Sequence, residues 1–134
     1  GEEGLTIVGD STIYLKLRAP FKEYVYLIGD FNNWDFSADF EMYKNPDSTF
    51  FWIEIDHLDP NEEYAFQYYV GAEGLRIADP YSEKILDPWN DQYIPEQIFP
   101  NLKSYPSGKT DFPVSCFSIT FGQTAIFKNQ KHRI

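Results

Sequence analysis

Glycoside hydrolysis needs two carboxylates set astride a scissile bond, so the acidic pair Glu54 and Asp56 is the first place to look for chemistry. The pair alternates with Ile53 and Ile55 along a strand-like run, which turns both acids away from a core and makes them a solvated acidic face. One cysteine, Cys116, and two histidines far apart in sequence, His57 and His132, give a thiol protease or a zinc site little to work with. Cys116 reads as a small apolar strand residue. Glycine-rich phosphate-binding patterns are absent. No catalytic residue, metal ligand or cofactor is expected from this chain.

The run Val25-Tyr26-Leu27-Ile28-Gly29-Asp30-Phe31-Asn32-Asn33-Trp34 carries a different chemistry. A buried strand ends in a glycine that permits a sharp turn, and Asn32-Asn33 supply turn chemistry that presents Trp34 at a sheet edge. An aromatic ring fixed beside amide groups suits sugars, whose C–H faces stack on rings while their hydroxyls take hydrogen bonds. The bland alternative is that Trp34 plugs the end of the fold.

The elements that must position this ring are strands. Ile13, Leu15 and Leu17 alternate with Tyr14, Lys16 and Arg18, and a second strand covers Tyr24 to Ile28. Phe51, Ile53 and Ile55 alternate with Trp52, Glu54 and Asp56, so Trp52 points outward. Tyr64, Phe66, Tyr68 and Val70 oppose Ala65, Gln67 and Tyr69, and Arg76 to Ala78 can close a hairpin across Gly71 to Gly74. No stretch shows a convincing helical period, which predicts an all-β sandwich or barrel.

From Asp79 to Pro113 the alternation disappears and six of the nine prolines cluster, which predicts a connector outside the central sheet. Its apolar residues, Trp89 among them, predict a segment that wraps the sandwich or lies against another domain. Alternation resumes at Cys116 to Phe121 and at Ala125 to Phe127. The expected organisation is a module over 1–113, with its Pro-rich connector from about 79, then a strand segment over 114–134 leading toward a catalytic domain. The 134 residues fit one domain, and a net charge of −10 argues against nucleic acid and anionic membranes as partners. No apolar run approaches the roughly 18 to 20 residues that span a bilayer.

The motif GDFNNW, preceded by VYLI and followed by FFWIEIDHLDPNEEYAFQYYV and RIADPYSEKILDPWNDQYI, resembles the family 48 carbohydrate-binding module. That family includes N-terminal domains of branching enzymes, isoamylases and pullulanases, and the glycogen-binding domain of the AMP-activated kinase β subunit. Residues 79–105 look closer still to the N-terminal domain of secreted bacterial α-amylases of glycoside hydrolase family 13. The resemblance implies an immunoglobulin-like (E-set) β-sandwich with a long Pro-rich C-terminal segment. It also implies a partner (β/α)8 barrel, an α-glucan ligand such as starch, glycogen or a maltooligosaccharide, and a secreted, periplasmic or cell-surface location.

Carried over residue by residue, the resemblance places Trp34 at the first sugar-stacking tryptophan, with Asn33 beside it, and Gln67 at a sugar-contacting lysine. Arg76 replaces the second stacking tryptophan, and Trp89 falls where binding members have an apolar residue that touches glucan. The carbohydrate-binding candidates are therefore Trp34, Asn33, Gln67, Trp89 and Trp52. Trp89 and Trp52 have a rival reading as contacts to a neighbouring domain. Two further readings stand beside the glucan-binding module: an interdomain spacer without sugar affinity, and a glycogen sensor resembling the kinase β subunit.

Overall fold

The computed structural model of the chain describes residues 3–88 and 103–119. Nine strands lie within them: β1 (Gly4–Ile7), β2 (Ile13–Arg18), β3 (Tyr24–Gly29), β4 (Tyr43–Lys44), β5 (Phe50–Ile55), β6 (Tyr64–Gly71), β7 (Leu75–Ile77), β8 (Ile85–Leu86) and β9 (Val114–Phe117). They form two antiparallel sheets. The first has the order β1-β2-β5-β4, and the second the order β3-β6-β9-β8, with β7 paired to the far end of β6. The connections β2 to β3, β3 to β4 and β5 to β6 each cross from one sheet to the other, which gives the all-β, immunoglobulin-like sandwich that the strand periodicity and the family resemblance predict.

Period-two alternation decides what fills the space between the sheets. Leu15 pairs with Ile53 in the first sheet and Leu27 with Tyr68 in the second, so each strand contributes every other residue to the interior. Ile13, Leu15, Leu17, Phe51 and Ile53 meet Val25, Leu27, Phe66, Tyr68 and Val70, all buried in one cluster. Each large side chain of this kind contributes about 1.5–3 kcal/mol by leaving water.

The buried hydroxyl of Tyr68 donates to Asp79 Oδ2 at 2.6 Å. Burial, and then the adjacent carboxylate, raise this phenol well above its ordinary pKa. Asp79 in turn receives the Tyr81 N–H on Oδ1 and sends its own N–H to Ser115 Oγ at 2.7 Å. The turn at Asp79-Pro80 is thereby tied both to the core and to β9.

Two expectations for the C-terminal half are corrected. Val114–Phe117, placed by the sequence outside the module, is an inner strand of the second sheet, bonded to β6 on one side and β8 on the other. Ile85–Leu86, read as part of a connector, is the strand β8 that closes this sheet. Two residues are too few to show a period, and the flanking prolines hid them. The segment 103–113 lies on the outer face of the second sheet. There the Tyr105 hydroxyl is 2.6 Å from the Phe112 carbonyl oxygen, and a turn at Pro106 brings the Lys109 N–H to its carbonyl at 3.1 Å.

Candidate functional site

Trp34 stands just beyond the end of β3, fixed by a close approach of two strands and four hydrogen bonds. Gly29 ends the strand against β6 so closely that a methyl group there would lie 2.5 Å from the Ala65 carbonyl oxygen. The Asn32 side chain then staples the turn, accepting the Gly29 N–H and donating to the Leu27 carbonyl, both at 2.9 Å. The chain passes through a 3-10 turn (Asp30–Asn32) and leaves it with Asn33 at φ 57° and Trp34 at φ 60°. Left-handed backbone suits asparagine but is costly for a bulky residue. It persists because the Trp34 N–H bonds the Gly29 carbonyl at 2.9 Å and the indole Nε1 donates to Asp30 Oδ1 at 2.9 Å.

Asp30 holds the whole arrangement. Its second oxygen, Oδ2, accepts the Ala65 N–H at 2.8 Å and pairs with Lys103 Nζ at 3.2 Å. Three donors therefore converge on one carboxylate, which orients it for structure and leaves it poorly placed to serve as a base. Charge-assisted bonds of this kind are the stronger class.

Trp34 packs on Ala65, Leu86, Val114 and Cys116, a small apolar cluster on the outer face of the second sheet, together with Tyr105. It also lines an open cleft of about 390 Å³ whose other walls are Asp30, Asn33 and the segment from Lys103 to Ser107, with Lys109. The cleft thus offers an anchored indole, the exposed amide of Asn33, the hydroxyls of Ser104 and Ser107 and the amine of Lys109. That set can bind a sugar and has no nucleophile paired with a base. Burial pushes the Cys116 thiol behind it up to about 12. Among the described residues, no group of three or more His, Cys, Asp or Glu side chains could hold a metal ion, and no helix is long and apolar enough to cross a membrane.

The sequence candidates fare differently. Trp34 and Asn33 share the cleft. Gln67 is corrected: it is fully buried under 103–113, where its Nε2 donates to the Phe112 and Pro113 carbonyls and its Oε1 accepts from the Thr110 hydroxyl. No group of it is left for a ligand. Trp52 does point outward, but from the first sheet, on the opposite side of the sandwich from Trp34. Trp89 lies outside the described residues. Arg76 sits with its guanidinium 5.3 Å from the centre of the Tyr69 ring.

Sequence reasoning missed Asp30 and the whole 103–109 wall. An aspartate four residues before an exposed-reading tryptophan was the available signal for the first. For the second, Pro106-Ser107-Gly108 announced a turn but not where it would land.

Sandwich, anchored rim tryptophan and an unreactive polar cleft together define a small module of the immunoglobulin-like type. Residues 4–89 match the family model of carbohydrate-binding module 48 (isoamylase N-terminal domain), and the chain belongs to that family. No curated protein sequence matches it. Among solved structures, the catalytic module of the multi-modular, glycogen-degrading pneumococcal virulence factor SpuA is similar over 88% of this chain. That match has 19% identity and a TM-score of 0.54, and covers 16% of the SpuA chain. The Group B Streptococcus pullulanase SAP, in complex with maltotetraose, is similar over 72% of this chain and 13% of its own, with 20% identity and a TM-score of 0.52. At such identities the likeness concerns the fold, and this chain spans less than a fifth of either protein.

Proposed function

We propose that the chain is a non-catalytic α-glucan-binding accessory module of an α-amylase-type glycoside hydrolase, with the sugar stacked on Trp34 in the cleft beside Asn33. The observation that carries this reading is the indole itself, held in costly left-handed backbone by Asp30 and Gly29 at the mouth of a cleft. Membership of a carbohydrate-binding family supports it, and so do the maltotetraose in the pullulanase complex and the glycogen-degrading role of SpuA. The partner in such an enzyme is a (β/α)8 barrel, for which the length of those structural neighbours leaves ample room. With a single ring stacking in the cleft, affinity falls near the millimolar level, about −4 kcal/mol, because that contact must also offset the ordering of the ligand.

A second reading, an interdomain spacer without sugar affinity, is favoured by the burial of Gln67 and by Arg76 covering the Tyr69 ring. Calorimetric titration with maltoheptaose separates the two. Saturable heat that is reduced in Trp34→Ala supports the binding module. An absence of heat from the unaltered protein leaves the spacer.

A further inference from the structure

The outer face of the first sheet carries a row of rings that the core does not require. Tyr14 on β2, Trp52 on β5 and Tyr43 on β4 lie on three adjacent strands. The Tyr14 and Trp52 centroids are 6.0 Å apart with planes 25° from parallel, and those of Trp52 and Tyr43 are 4.8 Å apart at 33°. Tyr43 stands directly opposite Trp52 in the register and is 61% exposed. The inward residues of the same strands, Ile13, Leu15, Phe51 and Ile53, already fill the interior. Thr6, Arg18 and Glu54 on this outer face are exposed as well, while Tyr14 and Trp52 are half-buried.

We propose that the Tyr14–Trp52–Tyr43 row is a second glucan-binding site, on the opposite side of the sandwich from the Trp34 cleft. It takes the apolar C–H groups of a sugar chain laid across the strands, against the ring surface that this mutual stacking leaves uncovered. The choice of an α-glucan as the occupant rests on the reading of the cleft given above; the site itself rests on the rings. A protein partner fits this face poorly, because interface cores are depleted of Lys and Glu. Here Lys16 is paired directly opposite Trp52 and Glu54 directly opposite Tyr14, and the Lys16 ammonium lies 4.3 Å from the centre of the Phe50 ring. A protein surface would have to strip water from both charges. A sugar chain covers only the rings and does not require either charge to be desolvated.

Two sites on opposite faces make the module bivalent, so that it holds two glucan chains at once or gains avidity on a dense glucan surface.

The test follows the three indole N–H signals of Trp34, Trp52 and Trp89 by nuclear magnetic resonance, each assigned by a Trp→Phe replacement, during titration with maltoheptaose. The Trp52 signal moves saturably, and still does so in Trp34→Ala. In Tyr43→Ala, which removes an exposed ring from an edge strand, its midpoint rises by about fivefold while the Trp34 midpoint stays fixed. The unfolding midpoint of Tyr43→Ala, matched to the unaltered protein, confirms that only the ring was lost. A Trp52 signal that stays silent while Trp34 responds overturns this proposal alone. Movement of Trp52 without Trp34 sinks the cleft reading and leaves the row standing, and silence from both removes both. A Trp52 signal that changes with protein concentration and ignores sugar assigns the face to contact between copies of the chain, and likewise overturns the proposal.

Discussion

On the outside of the β3-β6-β9-β8 sheet the chain returns over itself, and 103–113 seals Gln67 so completely that its amide bonds only protein. On the outside of the β1-β2-β5-β4 sheet, Tyr43 keeps 61% of its surface in water, and Arg18 and Glu54 stay exposed. Both faces carry the outward-pointing half of an alternating pattern, so alternation alone does not separate them. What separates them is a long-range event, the docking of a segment more than 30 residues beyond β6 in the sequence. An outward residue on a sandwich strand is therefore a surface residue only where no other part of the chain arrives to cover it.

The contrast breaks most sharply at Gly29. In Gly29→Ala the new methyl meets the Ala65 carbonyl oxygen at 2.5 Å, backbone against backbone, so β3 and β6 must part. A loss of about 3 kcal/mol in urea unfolding is expected, together with release of the Trp34 turn, while the ring row on the first sheet keeps its geometry. A variant as stable as the parent would show that the close approach is not what shapes the cleft.

Gln67→Ala removes the polar peg under 103–113 and takes this partner from the Thr110 hydroxyl and the Pro113 carbonyl, while the Phe112 carbonyl keeps the Tyr105 hydroxyl. The expected cost is about 2 kcal/mol. Trypsin should then cut sooner at Lys103 or Lys109. Unchanged cleavage would mean that the apolar contacts of Tyr105 suffice to hold the segment.

A smaller effect reports on the same covered face without mutation. The Cys116 thiol, pushed up to about 12 by burial, keeps its proton at pH values where the unfolded chain has lost it. Its contribution is therefore fully present below about pH 9 and is lost as pH rises from there toward about 12, and the raised Tyr68 phenol acts in the same direction. Thermal unfolding followed across that range should show a falling midpoint, and a flat profile would contradict the burial of both groups. A thiol reagent at pH 8 should label Cys116 only as the fold opens.

Much of the sandwich was legible because its strands have one buried face. Ile13, Leu15 and Leu17, then Phe51, Ile53 and Ile55, announced their inward side by type and spacing, and Trp52 its outward side. Trp34 was legible as well, because the glycine and asparagines before it are residues a tight turn demands. Gln67 was misread, since nothing near it in sequence tells of the segment that buries it. The strands β4 and β8 have two residues each, too short for any period to show. Asp30 went unnoticed because its role, three donors gathered on one carboxylate, exists only once β6 and Lys103 are in place.

The central claim is that the indole of Trp34 stacks on sugar in the cleft between Asn33 and Tyr105. A crystal of the protein soaked in maltoheptaose tests it most directly. The account predicts a glucose ring lying against that indole, with its hydroxyls bonded to Asn33 and to the 103–109 wall. A fully soaked crystal with sugar bound elsewhere and the cleft holding only water would contradict it.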